Sequence, residues 1–232
     1  MSTTYSVGPQ IDHDRLALIP KMPLRPARVE LVGPRVRLVA MQPERDATPL
    51  FAMSNGQAVT LGDRRIGSYD TEEMVWRYLR YGPFADAGEC EAYLVELAAP
   101  GDILPMTLID RASDQPIGTL SFMANAPAHL KIEIGHIWIA PVMQGSGVIY
   151  EAAYLMLRHC FELGYRRLEW KCDALNQRSR RTALNLGFQF EGVQEYHMIA
   201  RGRNRDTAWF RILDHEWPEI AARLELRLGI HP

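Results

Sequence analysis

The stretch APVMQGSGVIYEAAYLML, residues 140–157, leads from the end of a strand through a glycine-containing loop into a helix. The first turn of a helix exposes unpaired backbone N–H groups and carries a partial positive charge. Glycines beside these groups let a phosphate approach the backbone closely. The stretch therefore indicates an anion cradle, although an ordinary glycine turn explains the same residues. No Walker lysine follows it, and it lacks the third glycine of a dinucleotide-binding fingerprint.

Strands and helices alternate around this loop in an order that indicates the fold class. Six further strands are expected from patterning and turn residues, at 103–110, 115–123, 129–140, 166–173 and on either side of the turn at 201–204. Helices are expected at 42–55, 69–82, 84–99, about 147–163, 176–187 and near the end of the chain. Two short strands interrupted at Gly33-Pro34 occupy 27–41. This order predicts an α+β fold with one mixed sheet.

Two of these elements have predicted faces. In the strand at 129–140, alternation places one set of side chains together, namely Ile132, Ile134, His136 and Trp138, and the opposite set is Lys131, Glu133, Gly135 and Ile137. In the helix at 147–163 a polar stripe is predicted from Glu151, Tyr154, Arg158 and Glu162, and the remaining apolar face is expected to pack on the sheet.

Length and composition favour one large domain, alone or with extensions, because the chain has 232 residues and 47% of them are hydrophobic. The formal net charge of −2 gives no electrostatic reason to expect nucleic acid or a membrane surface as a partner. No run approaches the ~18 apolar residues of a membrane span, and the first residues lack the apolar core of a secretory signal.

The cysteines indicate the redox state of the protein, and the prolines indicate the conformation of its first residues. Cys90, Cys160 and Cys172 are odd in number and form no CxxC pair, so we expect buried reduced thiols and a cytoplasmic location. No HExxH or other ligand spacing occurs, so we expect no metal.

Residues 1–27 contain four prolines and are predicted to form an extended arm that wraps the domain or reaches a partner subunit. A homodimer would give that arm a place to pack.

Several segments together resemble a known family. PVMQGSGVIYEA resembles the acyl-CoA pyrophosphate loop of the GNAT acetyltransferase superfamily, with Gln144 and Gly147 in place and Ile149 where Gly or Ala is usual. IEIGHIWIAP, NQRSRRTALNLGFQFEG and RDTAWFRILDHEW are similar to segments of the branch that contains the ribosomal-protein acetyltransferases RimJ and RimL. The resemblance covers residues 28–217. It implies a GNAT-like mixed, mostly antiparallel central sheet flanked by helices on both faces, in a domain over 28–232 that follows the arm.

The resemblance also implies acetyl-CoA as the cosubstrate. In the family, the pyrophosphate lies on the loop amides and the pantetheine arm pairs with the fourth core strand where it splays from the fifth. The implied cofactor-binding residues are Ile137, Trp138, Ile139, Gln144, Gly145, Ser146, Gly147, Val148, Ile149, Asn176 and Ser179. Asn176 serves equally well as a helix N-cap. A basic cluster of Arg178, Arg180 and Arg181 either meets a CoA phosphate or forms a solvated helix face.

The catalytic candidates follow from the needs of amine acetylation. An amine with a pKa near ~10 is mostly protonated at neutral pH, so a general base helps. Glu133 is the first candidate, with a surface or ion-paired strand glutamate as the alternative. His197, beside Tyr196 on a strand that borders the acceptor site in this fold, is the second, with a core or surface histidine as the alternative. Ala183 stands where many GNAT branches have a tyrosine, so Ser179 or solvent would protonate the leaving thiolate. The alternative for Ser179 is an ordinary helix serine.

The acceptor is the least determined feature. Residues 69–84, YDTEEMVWRYLRYGPF, lie in the segment that helps cover the acceptor groove in the family, and their aromatic residues either line that groove or pack in the core, which we favour. These residues are Tyr69, Trp76, Tyr78, Tyr81 and Phe84. The expected activity is acetyl transfer to a primary amine, of a protein N-terminus or a small molecule, by direct attack in a ternary complex. The alternatives are a non-catalytic acyl-CoA sensor and a nucleotide-binding protein, the latter weakened by the missing Walker lysine.

Overall fold

A central sheet of eight strands and a separate two-stranded hairpin form in the part of the chain that the computed structural model describes, residues 8, 10–23 and 26–230. The strands are β1 Leu31–Val32, β2 Val36–Ala40, β3 Val59–Leu61, β4 Arg64–Ile66, β5 Leu104–Asp110, β6 Gln115–Ala126, β7 Lys131–Ile139, β8 Arg167–Asp173, β9 Gln189–Ala200 and β10 Arg203–Leu213. The sheet order is β1-β2-β5-β6-β7-β8-β10-β9. Neighbouring strands are antiparallel except β7 and β8, which are parallel.

Helices cover both faces of this sheet. They are α1 His13–Leu16, α2 Pro43–Ala52, α3 Ala87–Ala98, α4 Val148–Glu162, α5 Gln177–Leu186 and α6 Trp217–Leu228. On one face, Thr107 of β5 donates a hydrogen bond to Asp46 of α2. On the other, Phe122 of β6 packs on His159 of α4, with 6.1 Å between ring centroids. The predicted mixed, mostly antiparallel sheet flanked by helices on both faces is confirmed.

A β-bulge in β7 changes which residues share a face. Gly135 pairs with Ser121 but Trp138 pairs with Thr119, so β7 contains one extra residue over this interval. His136 lies in the bulge in the left-handed region, at φ 49°. The bulge reverses the alternation that follows it and places Trp138 on the face of Glu133. The predicted grouping of Trp138 with Ile132 and Ile134 is therefore wrong.

The helix predicted over 69–82 is wrong beyond its first turn. The chain forms a single wide turn, Glu72–Trp76, closed by an i→i+5 hydrogen bond from Arg77 N to Glu72 O of 2.8 Å. Side chains from elsewhere then take the carbonyl oxygens that a longer helix would use. Gln144 Nε2 donates to Met74 O at 2.9 Å, and Arg201 Nη1 donates to Trp76 O at 3.3 Å.

The predicted polar stripe on α4 is half wrong. Arg158 and Glu162 are exposed, but Glu151 and Tyr154 are buried. Glu151 accepts hydrogen bonds from the backbone N–H groups of Arg35 and Val36, and Tyr154 Oη donates to Glu225 at 2.6 Å. These partners lie far away in sequence, so helical periodicity alone could not identify them.

The arm is partly described and packs on its own domain. Residues 1–7, 9, 24 and 25 lie outside the described residues. Where extended backbone was predicted, α1 and a 3-10 turn at Ile19–Lys21 form, so that prediction is wrong there. Leu18 lies against Gly164, and Asn125 Nδ2 donates to Pro23 O at 2.8 Å. The argument for a homodimer from an unplaced arm does not apply to these residues, and a homodimer stays a prediction.

Candidate active site

The site begins where the two parallel strands separate. Three residue pairs join β7 to β8, namely Lys131 with Arg167, Ile132 with Leu168, and Glu133 with Glu169. Within the described chain, β7 has no further pairing with β8, although it continues to Ile139. The last six residues of β7 therefore leave one backbone edge open toward a cleft.

The glycine loop forms the outer end of this cleft. Gly145 and Gly147 adopt φ values of 74° and 88°, which glycine tolerates without the strain other residues would have. Among the described residues, no acceptor receives a hydrogen bond from the amide N–H of Gly145, Gly147 or Ile149. A Cβ added at Gly145 would meet nothing within 4 Å, so the space over the loop is open. These unpaired amides at the start of α4 face open space, which is the geometry that the predicted anion cradle requires.

Three side chains hold the loop in this conformation. Arg64 of β4 donates from Nε to Val142 O at 2.8 Å and from Nη2 to Gln144 O at 2.9 Å. Arg35 Nη1 donates to Ser146 O at 3.1 Å, while Arg35 Nε donates to Glu151 at 2.8 Å. Gln144 Nε2 bonds Ile139 O at 3.2 Å as well as Met74 O. The β3–β4 hairpin, where no strands were predicted from the sequence, thus provides one of these anchors.

A cleft of about 530 Å³ runs from the glycine loop along the open edge of β7. It is lined by ten of the eleven predicted cofactor-binding residues, namely Ile137, Trp138, Ile139, Gln144, Gly145, Gly147, Val148, Ile149, Asn176 and Ser179. Ser146 is the exception, because its hydroxyl turns back and donates to Met143 O at 2.7 Å. Ile149, the departure from the family pattern, lines the cleft and does not close it.

Helix α5 forms the opposite wall. Asn176 is its N-cap, since Asn176 Oδ1 accepts from Ser179 N at 3.0 Å, and it also lines the cleft. Ser179 Oγ accepts a hydrogen bond of 3.0 Å from Trp170 Nε1. The two predicted functions of Asn176 are therefore compatible in one position.

The basic cluster on α5 separates into two groups. Arg178 and Arg181 line the cleft, and Arg178 Nη2 lies 3.8 Å from Glu73 on the opposite rim. Arg180 points away, donates to Ala174 O at 2.9 Å and stacks over Phe190. Two of the three arginines are thus placed to meet a phosphate at the cleft.

A smaller cavity of about 170 Å³ opens beyond the splayed strands. Glu133 lines it, is only 4% exposed, and forms an ion pair in which Lys171 Nζ lies 2.6 Å from Glu133 Oε2. Burial raises the pKa of the Glu133 carboxyl, and the nearby Lys171 opposes that rise. The alternative of an ion-paired strand glutamate is therefore observed, and the general-base function of Glu133 stays a prediction.

Two histidines line this cavity. His197 Nδ1 lies 2.8 Å from Thr207 Oγ1, and burial followed by the charge of Lys171 lowers its pKa. Burial, with smaller contributions from neighbouring arginines, lowers the pKa of His136 to about 4. Both are therefore neutral at pH 7. Tyr196, the neighbour of His197, is 84% exposed and lies outside the site.

The aromatic residues of the segment at 69–84 divide between the core and the smaller cavity. Trp76 is buried at the centre of a cluster, with ring centroids 5.2 Å from Phe84 and 5.6 Å from Trp138. Tyr78 and Tyr81 line the smaller cavity, and Tyr69 donates to Met53 O at 3.0 Å. The preferred core interpretation holds for Trp76 and Phe84 but not for Tyr78.

Other predicted features can be located as well. The three cysteines are buried and free of disulfides, and burial raises the pKa of Cys90 to about 11. Within the described ranges, no group of three or more His, Cys, Asp or Glu side chains could hold a metal ion. None of the helices in the described part of the chain is long and apolar enough to cross a membrane.

Three residues that line the smaller cavity were not predicted from the sequence as site residues, namely Lys171, His136 and Arg205. Lys171 follows Glu169 by two residues, and Glu169 pairs directly with Glu133. A correct pairing of β7 with β8 would therefore have revealed Lys171 on the face of Glu133. His136 depends on the bulge, and Arg205 on the position of β10 beside β8, so neither had a local signal.

Comparison with known proteins agrees with this architecture. A family model described as an acetyltransferase (GNAT) domain matches residues 35–189. Ribosomal-protein-serine acetyltransferase from Escherichia coli is 36% identical over 105 residues, which cover 44% of this chain and 58% of that protein. An uncharacterized N-acetyltransferase, p20, from Bacillus licheniformis is 26% identical over 153 residues, covering 64% of this chain and 85% of that protein.

Solved structures extend the likeness to most of the chain. A GCN5-related N-acetyltransferase from Brucella melitensis is 36% identical with a TM-score of 0.78, covering 88% of this chain and 87% of that one. Mycobacterium smegmatis RimJ, solved in complex with CoA-disulfide, shares the fold at 20% identity with a TM-score of 0.65, covering 87% of this chain and 95% of that one. The chain belongs to the GNAT acetyltransferase family, in its RimJ/RimL-like branch, and is an N-acetyltransferase.

Proposed function

We propose that this protein transfers the acetyl group of acetyl-CoA to a primary amine, of a protein N-terminus or a small molecule, by direct attack in a ternary complex. The observation that carries the proposal is the continuity of the two cavities. Both are lined by Tyr78, Ile137, Trp170, Asn176 and Ser179. A cofactor in the larger cleft would therefore present its thioester to an amine in the smaller cavity.

The cleft suits CoA along its whole length. The amides of Gly145, Gly147 and Ile149 face open space at the positive end of α4, where a pyrophosphate would bind. The open edge of β7 offers backbone groups of Ile137 to Ile139 to a pantetheine arm. One of these N–H groups would stabilise the charge that develops on the thioester oxygen during attack.

Glu133 is the proposed general base, acting directly or through water. Its carboxyl lines the smaller cavity, named here the acceptor cavity because the amine would bind in it. The raised pKa of this carboxyl makes it a better proton acceptor than an exposed glutamate. The pKa of His197 is lowered, so this neutral imidazole is the second candidate to accept the proton. Both groups lie on the same cavity, where the amine would enter.

Ser179 is the proposed proton donor to the leaving thiolate. Its oxygen accepts from Trp170 Nε1, which fixes the hydroxyl at the junction of the two cavities. Ala183 is buried and supplies no hydroxyl. We expect Ser179→Ala to lower kcat while leaving the Kd for acetyl-CoA within about twofold, and an unchanged kcat would assign this proton to solvent.

The experiment that tests the proposal combines calorimetric titration of acetyl-CoA with thiol release over a panel of amines. Gly147→Glu should weaken binding at least about tenfold, because its carboxylate would occupy the cradle and repel the pyrophosphate. Gly202→Glu is the matched control, since Gly202 also has a positive φ, of 72°, but lies in the exposed β9–β10 turn. No binding by the wild type, or equal binding by Gly147→Glu, would contradict the proposal.

A family member that binds acyl-CoA without turnover was the alternative from the sequence. The N-acetyltransferase relatives and the presence of Glu133 in the acceptor cavity favour an enzyme. Tight acetyl-CoA binding with no thiol release to any amine would favour the sensor. A homodimer remains the predicted assembly, and a monomeric mass in solution scattering would exclude it.

A further inference from the structure

The acceptor cavity holds more positive than negative charge. Its charged lining residues are Arg80, Glu133, Lys171, Asp173 and Arg205. Lys171 is paired with Glu133, and Asp173 Oδ1 accepts a hydrogen bond of 2.8 Å from Leu175 N. Among the described residues, neither Arg80 nor Arg205 has a carboxylate oxygen within 4.0 Å. Two guanidinium groups therefore line this cavity without a carboxylate in direct ion-pair contact, and Arg205 acts on the Glu133 carboxyl only from a longer distance.

Arg205 is the more confined of the two. It is half-buried on β10, and its Nε atom is buried without a hydrogen-bond acceptor in the described chain. Its Nη1 reaches only the thioether sulfur of Met198, at 3.8 Å. A guanidinium removed from water without an acceptor is unfavourable, and an anionic ligand would relieve that cost. By contrast, the partly buried Arg167 and Arg211 each form an ion pair with a glutamate.

The two cavity histidines report the same positive field. After burial, Arg80 and Arg205 contribute to the lowered pKa of His136, and Lys171 and Arg205 contribute to that of His197. Both imidazoles are neutral at pH 7 and add no charge. With three cationic and two anionic side chains in its lining, the cavity carries a net positive charge that favours a ligand with a negative group.

We infer that the acceptor amine of this enzyme carries a carboxylate, which Arg205 binds while the amine faces Glu133. The inference rests on the proposed function, because it assigns the substrate class of the same cavity. A guanidinium presents two parallel N–H donors that match the two oxygens of a carboxylate. Arg80, which is exposed at the rim, adds attraction as the substrate enters.

The volume of the cavity limits the size of the group bound there. About 170 Å³ accommodates an amino-acid-sized head group but not a long chain beside it. Two sources share the required chemistry, a free amino acid with its own carboxylate and a peptide N-terminus followed by an acidic side chain. Because Lys171 offsets the negative charge of Glu133, the Glu133 carboxylate repels a substrate carboxylate less than an unpaired one would.

The test compares kcat/KM for substrates that differ only in the charge of this group. One arm uses L-amino acids and their carboxamides, and the other uses amidated tripeptides with Asp or Asn at the second position. In one arm we expect kcat/KM for the substrate with the carboxylate to be at least about tenfold higher than for its uncharged counterpart. That arm identifies whether the carboxylate belongs to a free amino acid or to a peptide side chain. This preference opposes the lower amine pKa of the carboxamides, which favours them at neutral pH.

Arg205→Gln should reduce that preference to within about threefold, and Arg205→Lys should retain part of it. Arg203→Gln is the matched control, because Arg203 lies on the same strand, is exposed and does not line the cavity. The same pairs are titrated calorimetrically into the CoA-loaded protein, so that binding is measured even where turnover is slow.

The outcomes separate this inference from the proposed function. Acetyl transfer with no carboxylate preference in either arm, or a preference that Arg205→Gln leaves unchanged, would overturn the inference while the proposed function stands. Failure of the wild type to bind acetyl-CoA would overturn both. Carboxylate-dependent binding that Arg205→Gln removes and Arg203→Gln keeps would support it.

Discussion

Lys171 Nζ lies 2.6 Å from Glu133 Oε2, across the point at which β7 and β8 stop pairing. The two side chains come from adjacent parallel strands, and the sheet alone brings them together. Burial of Glu133 raises its pKa, and Lys171 limits that rise. The carboxyl therefore remains able to accept a proton while sitting in an enclosed cavity beside the cofactor cleft.

Glu133→Gln should lower kcat/KM by about 10²-fold or more, the range expected for loss of a general base. The Kd for acetyl-CoA should not change, because Glu133 does not line the cofactor cleft. The rate of the wild type should rise with pH through the pKa of Glu133, and the variant should lose that acidic limb. Steady-state kinetics across pH with one amine measures both effects.

Glu169→Gln supplies the control for that experiment. Glu169 pairs with Glu133 in register and is similarly buried, but it bonds Lys131 and Arg167 and does not line the acceptor cavity. A general cost of removing a buried carboxylate would appear in both variants. An equal loss of activity in the two, with the same pH profile, would show that Glu133 acts structurally.

Hydrophobic periodicity correctly predicted those strands and helices whose pattern depends only on their own residues. The order of strands and helices after residue 84 and the capping of α5 by Asn176 both follow from local signals. The resemblance of the glycine loop then located the cleft. These features depend on residues close together in the chain.

The errors arose where a distant partner decides the outcome. The bulge at His136 is defined by the register of β6, and the burial of Glu151 depends on Arg35, 116 residues away. The β3–β4 hairpin is the exception, because the two-residue Gly62-Asp63 turn between the short strands VTL and RRI is a local hairpin signal. The acceptor cavity could not be assembled from sequence because Lys171 and Arg205 reach it from separate strands.

Glu151→Gln should destabilise the fold by about 2–3 kcal/mol, as expected for a buried, charge-assisted network. One carboxylate oxygen accepts from the N–H groups of Arg35 and Val36, and the other accepts from Arg35 Nε at 2.8 Å. A glutamine would present an NH₂ group to one of these donors. Denaturant unfolding measures the change in the free energy of unfolding.

Glu162→Gln on the same helix is the control. It removes only an exposed pair with Arg158, so it should change stability by less than about 0.5 kcal/mol. Coincident midpoints for Glu151→Gln and the wild type would contradict this prediction.

His136→Asn should alter how stability depends on pH. The pKa of His136 is lowered to about 4, first by burial and then by Arg80 and Arg205, while Asp102 acts in the opposite direction. Between pH 4 and 6.5 the unfolded chain therefore binds a proton that the folded chain does not, so the His136 contribution to stability rises with pH through this window.

Asparagine tolerates the left-handed backbone at this position and does not titrate. The difference in unfolding free energy between wild type and variant should shift toward the wild type by up to about 3 kcal/mol as pH rises through the window. Denaturant titrations at several pH values measure this shift. His129→Asn, which changes an exposed histidine, should give a difference that stays nearly constant. A constant difference for His136→Asn as well would show that the folded protein protonates His136 as readily as the unfolded chain does.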